Sequence, residues 1–430
     1  MSEYLLWFAN QYNDFRVSEF ESLCSLLAID FLYSEQPSDK PFIIFRSNAT
    51  DRQLKQLMSR TVLARNIYEL WINSDQLTKF YDDLRQCPRC RLPQYRNSSF
   101  RIYVDAYNKK LSLADKIEKI ETIGFLPFEG PIDLRTPDHS FHLFEYYGSD
   151  SNIIPEEPIQ ILFGRHLYKS NRKVCAKLSL KTRKFIANTS MEPLLGLLMT
   201  NIARITANDL VLDPFVGSGS LLVAAAYCGA YVFGTDIDYK LIHGLTKPSR
   251  AGVKQRDEDE SILANLKQYG LQDKYIDVVA ADASLPIWRK EKRLSIDAII
   301  TDPPYGKRES RERIGTEKQY KIPDELIDGH IPAKVEYNLC DIFSDLLSFS
   351  AFHLKIGGRL VFWVPLDKQN NKTNFDITTD CHPCLKVISI SEQQLSTYMS
   401  RILICVEKFR EEELEEYSEV IVVNNREDVH

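Results

Sequence analysis

Long apolar runs and a secretion signal are both missing from this sequence. No apolar stretch among its 430 residues approaches the ~18–20 residues that cross a bilayer. The first eight residues lack a basic region, and their apolar stretch is too short for a signal peptide. We therefore expect an intracellular, cytoplasmic protein without membrane contact. The length allows two or three domains, each with its own core.

Cysteine is also scarce, which excludes a disulfide-built scaffold. Nine cysteines are spread over 430 residues, and an intracellular compartment would keep them reduced. Two Cys-x-x-Cys pairs occur, Cys87/Cys90 and Cys381/Cys384, with His382 inside the second pair. A closed zinc site needs four ligands, and the two pairs lie far apart in the sequence. We interpret them as ordinary thiols and predict no metal.

Acidic residues are absent from residues 158–191, although the whole chain has a net charge of −6. That net charge excludes a uniformly basic coat but allows a local basic face. The cations of this stretch are Arg165, Lys169, Arg172, Lys173, Lys177, Lys181, Arg183 and Lys184. We predict that all except Lys177 bind RNA phosphates, on a surface between the two halves of the chain. The alternative is a solvated linker.

The first half of the chain has the pattern of an α+β fold. Strands are predicted at Tyr4–Ala9, Pro41–Phe45, Phe100–Ala106 and Ile159–Phe163, and helices at Phe15–Leu27, Asp51–Leu63 and Ser112–Thr122. Strand–helix–strand units of this size suggest ferredoxin-like or related small sandwiches.

From Asp209 onward, short apolar strands alternate with helical segments. The predicted strands are Leu210–Leu212, Tyr231–Gly234, Asp277–Val279, Ala298–Thr301 and Arg359–Val364. This alternation predicts a parallel, doubly wound α/β sheet, which binds ligands at the carboxyl ends of its strands. The charged segment Lys247–Glu260 is predicted to be a mobile loop.

A glycine-rich turn follows the first of these strands, with Asp213, Phe215, Gly217 and Gly219 before a helical segment. Glycines let the backbone pass close to a ligand at a helix amino terminus. The carboxylate of Asp213 would repel phosphates but suits the ammonium of a methionine moiety. The turn therefore favours S-adenosylmethionine over a dinucleotide, with a plain tight turn as the alternative.

Two more acids follow later strands of the predicted sheet. Asp236, followed by Ile237, lies 23 positions after Asp213, where a carboxylate can accept hydrogen bonds from ribose hydroxyls. Asp282, followed by Ala283, can reach the exocyclic amine of adenine. Each acid alone could be a solvated strand end, but the series predicts cofactor contacts at all four residues.

The residues Asp302-Pro303-Pro304-Tyr305 predict the reaction. The prolines stiffen the turn and remove two N–H donors, so the carboxylate and a backbone carbonyl are left as acceptors. Two acceptors can hold the hydrogens of an aromatic amine and turn its lone pair toward a methyl group. Tyr305 offers a face on which a base can stack. Positioning suffices for such an in-line transfer, without a metal; the alternative is a Pro-Pro turn beside a chance acid.

With these motifs, the chain resembles the Asp-Pro-Pro-Tyr amino-methyltransferases. More narrowly, it resembles the catalytic subunits of the eukaryotic tRNA (guanine-N2)-methyltransferases that act at position 10. The resemblance covers most of the chain and includes residues 4–8, 163–167, 185–192 and 264–271 beside the motifs at Asp213, Asp236 and Asp302. Ser220 stands where threonine or glycine is commoner in the family.

The resemblance implies an α+β amino-terminal half, followed by a Rossmann-like class I methyltransferase domain. Its divisions are a ferredoxin-like domain (1–55), a THUMP RNA-binding domain (56–168), a basic linker (169–188), the methyltransferase domain (189–410) and an acidic, disordered tail (411–430). It also implies that Thr189 approaches the cofactor from the linker side. A small zinc-binding activator subunit is expected along the edge of the methyltransferase sheet, and tRNA is the expected substrate.

Two other functions share some of these features. A DNA or RNA N6-adenine or N4-cytosine methyltransferase would carry the same Asp-Pro-Pro-Tyr turn, although the α+β half counts against a DNA enzyme. A non-catalytic RNA-binding scaffold would retain the fold, but the presence of Asp213, Asp236 and Asp302 counts against it.

Overall fold

A computed structural model describes residues 1–86, 92–250, 252–285, 288, 293–306, 309–316, 332–367 and 375–411. The chain forms two compact units that divide after Arg172. The predicted thiols of Cys87 and Cys90, and the predicted tail after residue 411, lie outside the described residues. Within the described part, no helix combines the length and the apolar character that a membrane span requires.

The first unit contains a seven-stranded sheet and four described α-helices. Its strands are β1 (Ser2–Phe8), β2 (Phe31–Tyr33), β3 (Phe42–Ser47), β4 (Ala64–Ser74), β5 (Phe100–Tyr107), β6 (His139–Tyr146) and β7 (Gln160–Lys169). Its helices are α1 (Arg16–Leu26), α2 (Asp51–Arg60), α3 (Leu77–Gln86) and α4 (Leu113–Thr122). The strands and helices predicted for this half are confirmed.

The sheet of the first unit has the order β2-β3-β1-β4-β7-β6-β5, with β5 and β6 parallel and the other neighbours antiparallel. The predictions missed β2, β4 and β6, and also α3. In β4, Arg65, Glu69 and Asn73 interrupt the apolar residues, and only the alternating burial of the folded strand reveals its two faces. One sheet thus contains strands from both sides of the expected division at residues 55 and 56, and that division stays a prediction.

A buried carboxylate on α1 holds the turn between α2 and β4. Glu19 is 1% exposed and accepts hydrogen bonds from Thr61 Oγ1 at 2.7 Å, Val62 N at 2.8 Å and Leu63 N at 3.0 Å. Buried N–H groups almost always have an acceptor, and here one side chain supplies it for two of them.

The second unit contains the predicted doubly wound sheet. Its strands are β8 (Leu210–Asp213), β9 (Tyr231–Asp236), β10 (Tyr275–Ala280), β11 (Ile296–Thr301), β12 (Glu312–Ile314), β13 (Lys334–Glu336), β14 (Leu354–Asp367), β15 (Leu385–Gln394) and β16 (Met399–Lys408). Its helices are α5 (Lys173–Lys177), α6 (Pro193–Ile202), α7 (Ser220–Tyr227), α8 (Tyr239–Ile242), α9 (Ile262–Gln268), α10 (Leu339–His353) and α11 (Ile377–Asp380).

The main sheet of this unit has the order β10-β9-β8-β11-β14-β16-β15. The first five strands are parallel, and β16 runs antiparallel between β14 and β15. All five predicted strands are confirmed, and with them the α/β Rossmann-like fold class. The antiparallel pair β15–β16 was not predicted, although it borders the site described below.

The predicted loop at Lys247–Glu260 contains no helix or strand among its described residues. It is nevertheless anchored by Arg256, whose side chain is 7% exposed and pairs with Glu260 at 2.6 Å. The same guanidinium lies 4.9 Å from the ring centre of Phe185. The prediction of a loop is therefore confirmed, but this part of it is tied to the unit.

We predict that Glu19→Ala lowers the free energy of unfolding by roughly 3–5 kcal/mol, because three buried donors lose their acceptor at about 1–3 kcal/mol each. Denaturant unfolding of the full chain measures the change. Glu21→Ala is the matched control, since Glu21 is exposed on the same helix. Equal shifts of the two midpoints would contradict the role given to Glu19.

Candidate active site

The carboxyl ends of four neighbouring parallel strands bring the predicted acids to one edge of the sheet. Asp213 ends β8, Asp236 ends β9, Asp302 directly follows β11, and Asp282 lies two residues after the end of β10. The register pairs Asp213 with Gly234 and Ala280 with Asp236, so the ends of β9 and β10 are level and β8 ends two residues earlier. This is the edge at which open α/β sheets bind ligands.

Asp213 links the glycine-rich turn to the Asp-Pro-Pro-Tyr turn. Its side chain is 1% exposed, and its Oδ1 accepts hydrogen bonds from Thr301 Oγ1 at 2.6 Å and from Phe215 N at 3.1 Å. Burial, together with the neighbouring carboxylates of Asp236 and Asp302, raises the pKa of Asp213 to about 7. Thr301, which the predictions missed, therefore connects the turns after β8 and β11.

The two glycines of the first turn are needed for different reasons. Gly219 caps α7 with φ +73°, and a Cβ there would lie 2.6 Å from Ile262 Cγ2. Gly217 has φ +50°, but a Cβ there would meet no described atom within 4 Å. The backbone at Gly217 thus has an open side.

Asp236 is held in place by two backbone N–H groups. Gly217 N donates to Oδ2 at 2.8 Å, and Asp238 N donates to Oδ1 at 2.9 Å. Burial raises the pKa of Asp236 to about 6. Each carboxylate oxygen retains a second lone pair, so the side chain can accept further hydrogen bonds.

Asp282 is buried at 2% exposure and is likewise bound to backbone groups. Ser284 N donates to Oδ1 at 2.8 Å, and Ile314 N donates to Oδ2 at 2.5 Å. The carboxylate therefore attaches β12 to the end of β10. Its predicted contact with the amine of adenine stays a prediction.

Asp302 lies at the centre of a small polar cluster. The hydroxyl of Tyr305 donates to Oδ1, and Arg401 Nη1 donates to Oδ2 at 3.1 Å. Burial raises the pKa of Asp302, while Arg401 opposes this rise. Tyr305 is thus fixed at its hydroxyl end. Arg401, on β16, was not identified from the sequence.

A cleft of about 290 Å³ is lined by Asp236 and Asp282 together with Phe215, Ile237, Ala283 and Pro304, whereas Asp213, Asp302 and Tyr305 are not part of its lining. Glu309, which the predictions missed, also lines the cleft, and its carboxylate accepts a hydrogen bond from the hydroxyl of Thr189. Burial raises the pKa of Glu309. Thr189 is thus connected to the cleft wall.

The basic stretch divides by exposure. Lys169, Lys173, Lys181 and Lys184 are exposed, whereas Arg165 and Arg172 are half-buried. Arg165 pairs with Glu69 at 3.2 Å, Arg172 donates to the carbonyl of Val62, and Lys184 pairs with Asp259.

Arg183 corrects the predicted set of RNA contacts. It is 2% exposed and donates to Ser220 Oγ at 3.2 Å and to the carbonyl of Leu178 at 2.9 Å. A guanidinium enclosed in this way cannot reach a phosphate, so the prediction that Arg183 binds RNA is wrong.

Among the described residues, no group of three or more His, Cys, Asp or Glu side chains could hold a metal ion. Cys381 and Cys384 are thiols that form no disulfide among the described residues.

Two family models match separate parts of the chain, in agreement with its two units. Residues 2–172 match the model of the Tmrp11 THUMP N-terminal domain, and residues 181–322 match that of the RMKL-like methyltransferase domain. The solved structure of TrmN from Thermus thermophilus is similar at a TM-score of 0.43 with 17% identity, covering 95% of this chain and 100% of that one.

Full-length relatives are more similar. The tRNA (guanine(10)-N(2))-methyltransferase TRMT11 of Bos taurus is 43% identical over 426 residues, which cover 98% of this chain and 91% of that protein. The tRNA (guanine(10)-N(2))-methyltransferase of Saccharomyces cerevisiae is 33% identical over 423 residues, covering 95% of this chain and 94% of that protein. Since this identity extends through both units, the chain belongs to the family of tRNA (guanine(10)-N(2))-methyltransferases.

Proposed function

We propose that the protein transfers a methyl group from S-adenosylmethionine to the exocyclic N2 amine of guanosine 10 in tRNA. The observation that carries the proposal is the 2.6 Å hydrogen bond from Thr301 to Asp213, next to Asp302. This bond joins the glycine-rich turn, which is suited to the cofactor, to the Asp-Pro-Pro-Tyr turn, which is suited to the target amine. Full-length identity to tRNA (guanine(10)-N(2))-methyltransferases supports this substrate.

The cleft fits the proposed cofactor. Its volume of about 290 Å³ is near the lower end of ligand pockets, and the open side of Gly217 admits a ligand close to the backbone. Asp236 would accept hydrogen bonds from the ribose, with Ile237 and Ala283 beside the adenine. Bound there, S-adenosylmethionine supplies a methyl group on a positively charged sulfur.

The Asp302 turn would hold the acceptor base. Its carboxylate has free lone pairs for the amine hydrogens, and the prolines at 303 and 304 present no N–H groups that would compete. Holding both hydrogens turns the lone pair of the nitrogen toward the methyl group. Because the nitrogen loses its proton after transfer, no strong base is required. The ring of Tyr305, fixed at its hydroxyl, provides a stacking face.

The tRNA would be positioned by exposed cations. Lys169, Lys173, Lys181 and Lys184 are exposed, and such contacts bind phosphates without reading sequence. Half-buried Arg165 and Arg172 complete the proposed set, and Arg183 is removed from it.

We also propose the heterodimer with a small zinc-binding activator. β10 is an edge strand of the main sheet, and its apolar side chains Ile276 and Val279 are 53% and 47% exposed. Exposed apolar edge strands tend to pair with another chain. The cytoplasmic location expected from the sequence is likewise part of this proposal.

We predict that unmodified tRNA, incubated with methyl-labelled cofactor and the activator subunit, yields labelled N2-methylguanosine after digestion to nucleosides. Asp302→Ala should lower the rate by ~10²-fold or more, because orientation of the amine is lost. Asp341→Ala, an exposed aspartate on α10, is the control and should retain activity.

The same experiment separates the alternatives. Label in adenine or cytosine of duplex DNA or RNA would contradict the guanosine proposal while leaving amino-methyl transfer intact. If cofactor binding is demonstrated with the activator present and no nucleic acid is labelled, the non-catalytic scaffold becomes the better account.

We predict that Asp213→Asn stabilises the cofactor-free protein but weakens cofactor binding. The folded-state pKa of Asp213 is raised, so the wild-type protein loses stability as pH rises from about 4 to about 7. Asparagine keeps the acceptor oxygen without the charge. The melting temperature of the variant should therefore exceed that of the wild type at pH 8, with a smaller difference at pH 5.

Calorimetric titration with the cofactor at pH 8 provides the second half of this test. We expect the affinity of Asp213→Asn to fall by about tenfold or more, because the ammonium loses its counter-charge. Unchanged affinity would mean that Asp213 supports the turn without contributing its charge.

A further inference from the structure

Three side chains of the second unit hold the guanidinium of Arg401 beside the reaction centre. Its carbon lies 3.9 Å from the ring centre of Trp363, its Nε donates to Gln393 Oε1 at 2.8 Å, and its Nη1 donates to Asp302 Oδ2 at 3.1 Å. The side chain of Arg401 is only 14% exposed. Both its position and its orientation are therefore set by the protein.

The antiparallel strands fix this arrangement. On β16, Arg401 is paired in register with Gln393 on β15 and with Pro365 on β14. Trp363 is fully buried on β14, and its Nε1 donates to Met199 Sδ at 3.2 Å. A planar guanidinium on a fixed aromatic ring loses little further freedom when it binds a carboxylate.

The bond to Arg401 determines which form of Asp302 can act. Burial favours the neutral acid, which carries a hydrogen and can donate it where an acceptor is needed. Arg401 opposes burial and favours the carboxylate. Its bond and that of Tyr305 each use one lone pair, on different oxygens, so each oxygen keeps one for an amine hydrogen.

Other ionisable groups near Asp302 act against its ionisation. Asp302 raises the pKa of Asp213 on β8 and of Glu309 beyond β11, and this repulsion is mutual. Tyr305 donates through its hydroxyl and brings no positive charge. Among these described neighbours, Arg401 is the cation.

We propose that Arg401 is a positioning residue for methyl transfer, which holds Asp302 ionised and oriented so that its carboxylate accepts the hydrogens of the target amine. This inference rests on the proposed function and deepens it. Arg401 acts through Asp302 and need not touch the substrate.

The pH dependence of kcat/KM tests the proposal, measured with the full chain, the activator subunit and unmodified tRNA. Arg401→Met should raise the pKa of the acidic limb by about 1–3 units, lower kcat at pH 7 by about 10- to 10³-fold, and recover part of this loss at pH 9. Arg401→Lys keeps the charge and should shift the limb less. The affinity for S-adenosylmethionine should stay within about twofold.

Arg410→Met is the matched control, because Arg410 lies beyond the other end of β16 and donates to the carbonyl of Pro383. It should leave the pH profile unchanged. An unshifted acidic limb in Arg401→Met, or an equal shift in Arg410→Met, would overturn the proposal.

A second readout does not depend on activity. Melting temperatures of the wild type, Asp302→Asn, Arg401→Met and the double variant are compared at pH 6 and pH 8. Arg401→Met alone should be destabilised more at pH 8 than at pH 6, and Asp302→Asn should remove that difference in the double variant.

The two readouts distinguish failure of the inference from failure of the proposed function. If the wild-type protein labels no nucleic acid, the proposed function fails, and the positioning role in methyl transfer fails with it. The comparison of melting temperatures among the wild type, the two single variants and the double variant then still decides whether Arg401 controls the ionisation of Asp302. If the destabilisation by Arg401→Met does not depend on pH, or depends on pH equally in the Asp302→Asn background, the inference is overturned even in an active enzyme.

Discussion

The hydrogen bond between Thr301 and Asp213 connects the two halves of the proposed reaction site. It joins neighbouring strands β8 and β11 at their carboxyl ends, where the glycine-rich turn and the Asp-Pro-Pro-Tyr turn begin. Parallel pairing brings the two turns to one edge, and this bond then sets their relative position. A shift of one strand along the other would separate the cofactor residues from Asp302 even if every motif remained intact.

The proposed site gathers negative charge, which has a physical consequence. Burial raises the pKa of Asp213, Asp236, Asp302 and Glu309. Without a ligand, these acids oppose one another and destabilise the ionised site. A cofactor with a positive sulfur and an ammonium would relieve that repulsion. A dinucleotide, with its phosphates, would increase it. The same acids therefore favour a cationic cofactor at the expense of stability in its absence.

The site residues that could be predicted from the sequence belong to short motifs of neighbouring residues. A strand, a turn and an acid in series define the residues that line the cleft, because each motif is complete within a few positions. Arg401 could not be found in this way, since it reaches Asp302 only through the register of β14, β16 and β15. The prediction that Arg183 binds RNA was wrong because the charge of a sequence segment does not reveal that this guanidinium is enclosed beside Ser220. The strand β4 was missed because Arg65, Glu69 and Asn73 recur at every fourth position, so the apolar residues do not alternate along the sequence.

The central claim is that the exocyclic amine of guanosine 10 receives the methyl group. Two tRNAs that differ only at position 10, one with guanosine and one with inosine, test it most directly, because inosine lacks that amine alone. With the activator subunit and labelled cofactor, the account predicts one labelled nucleoside in the guanosine tRNA and no label in the inosine tRNA. Equal labelling of both would contradict it, since the methyl group would then be going to another atom or another nucleotide.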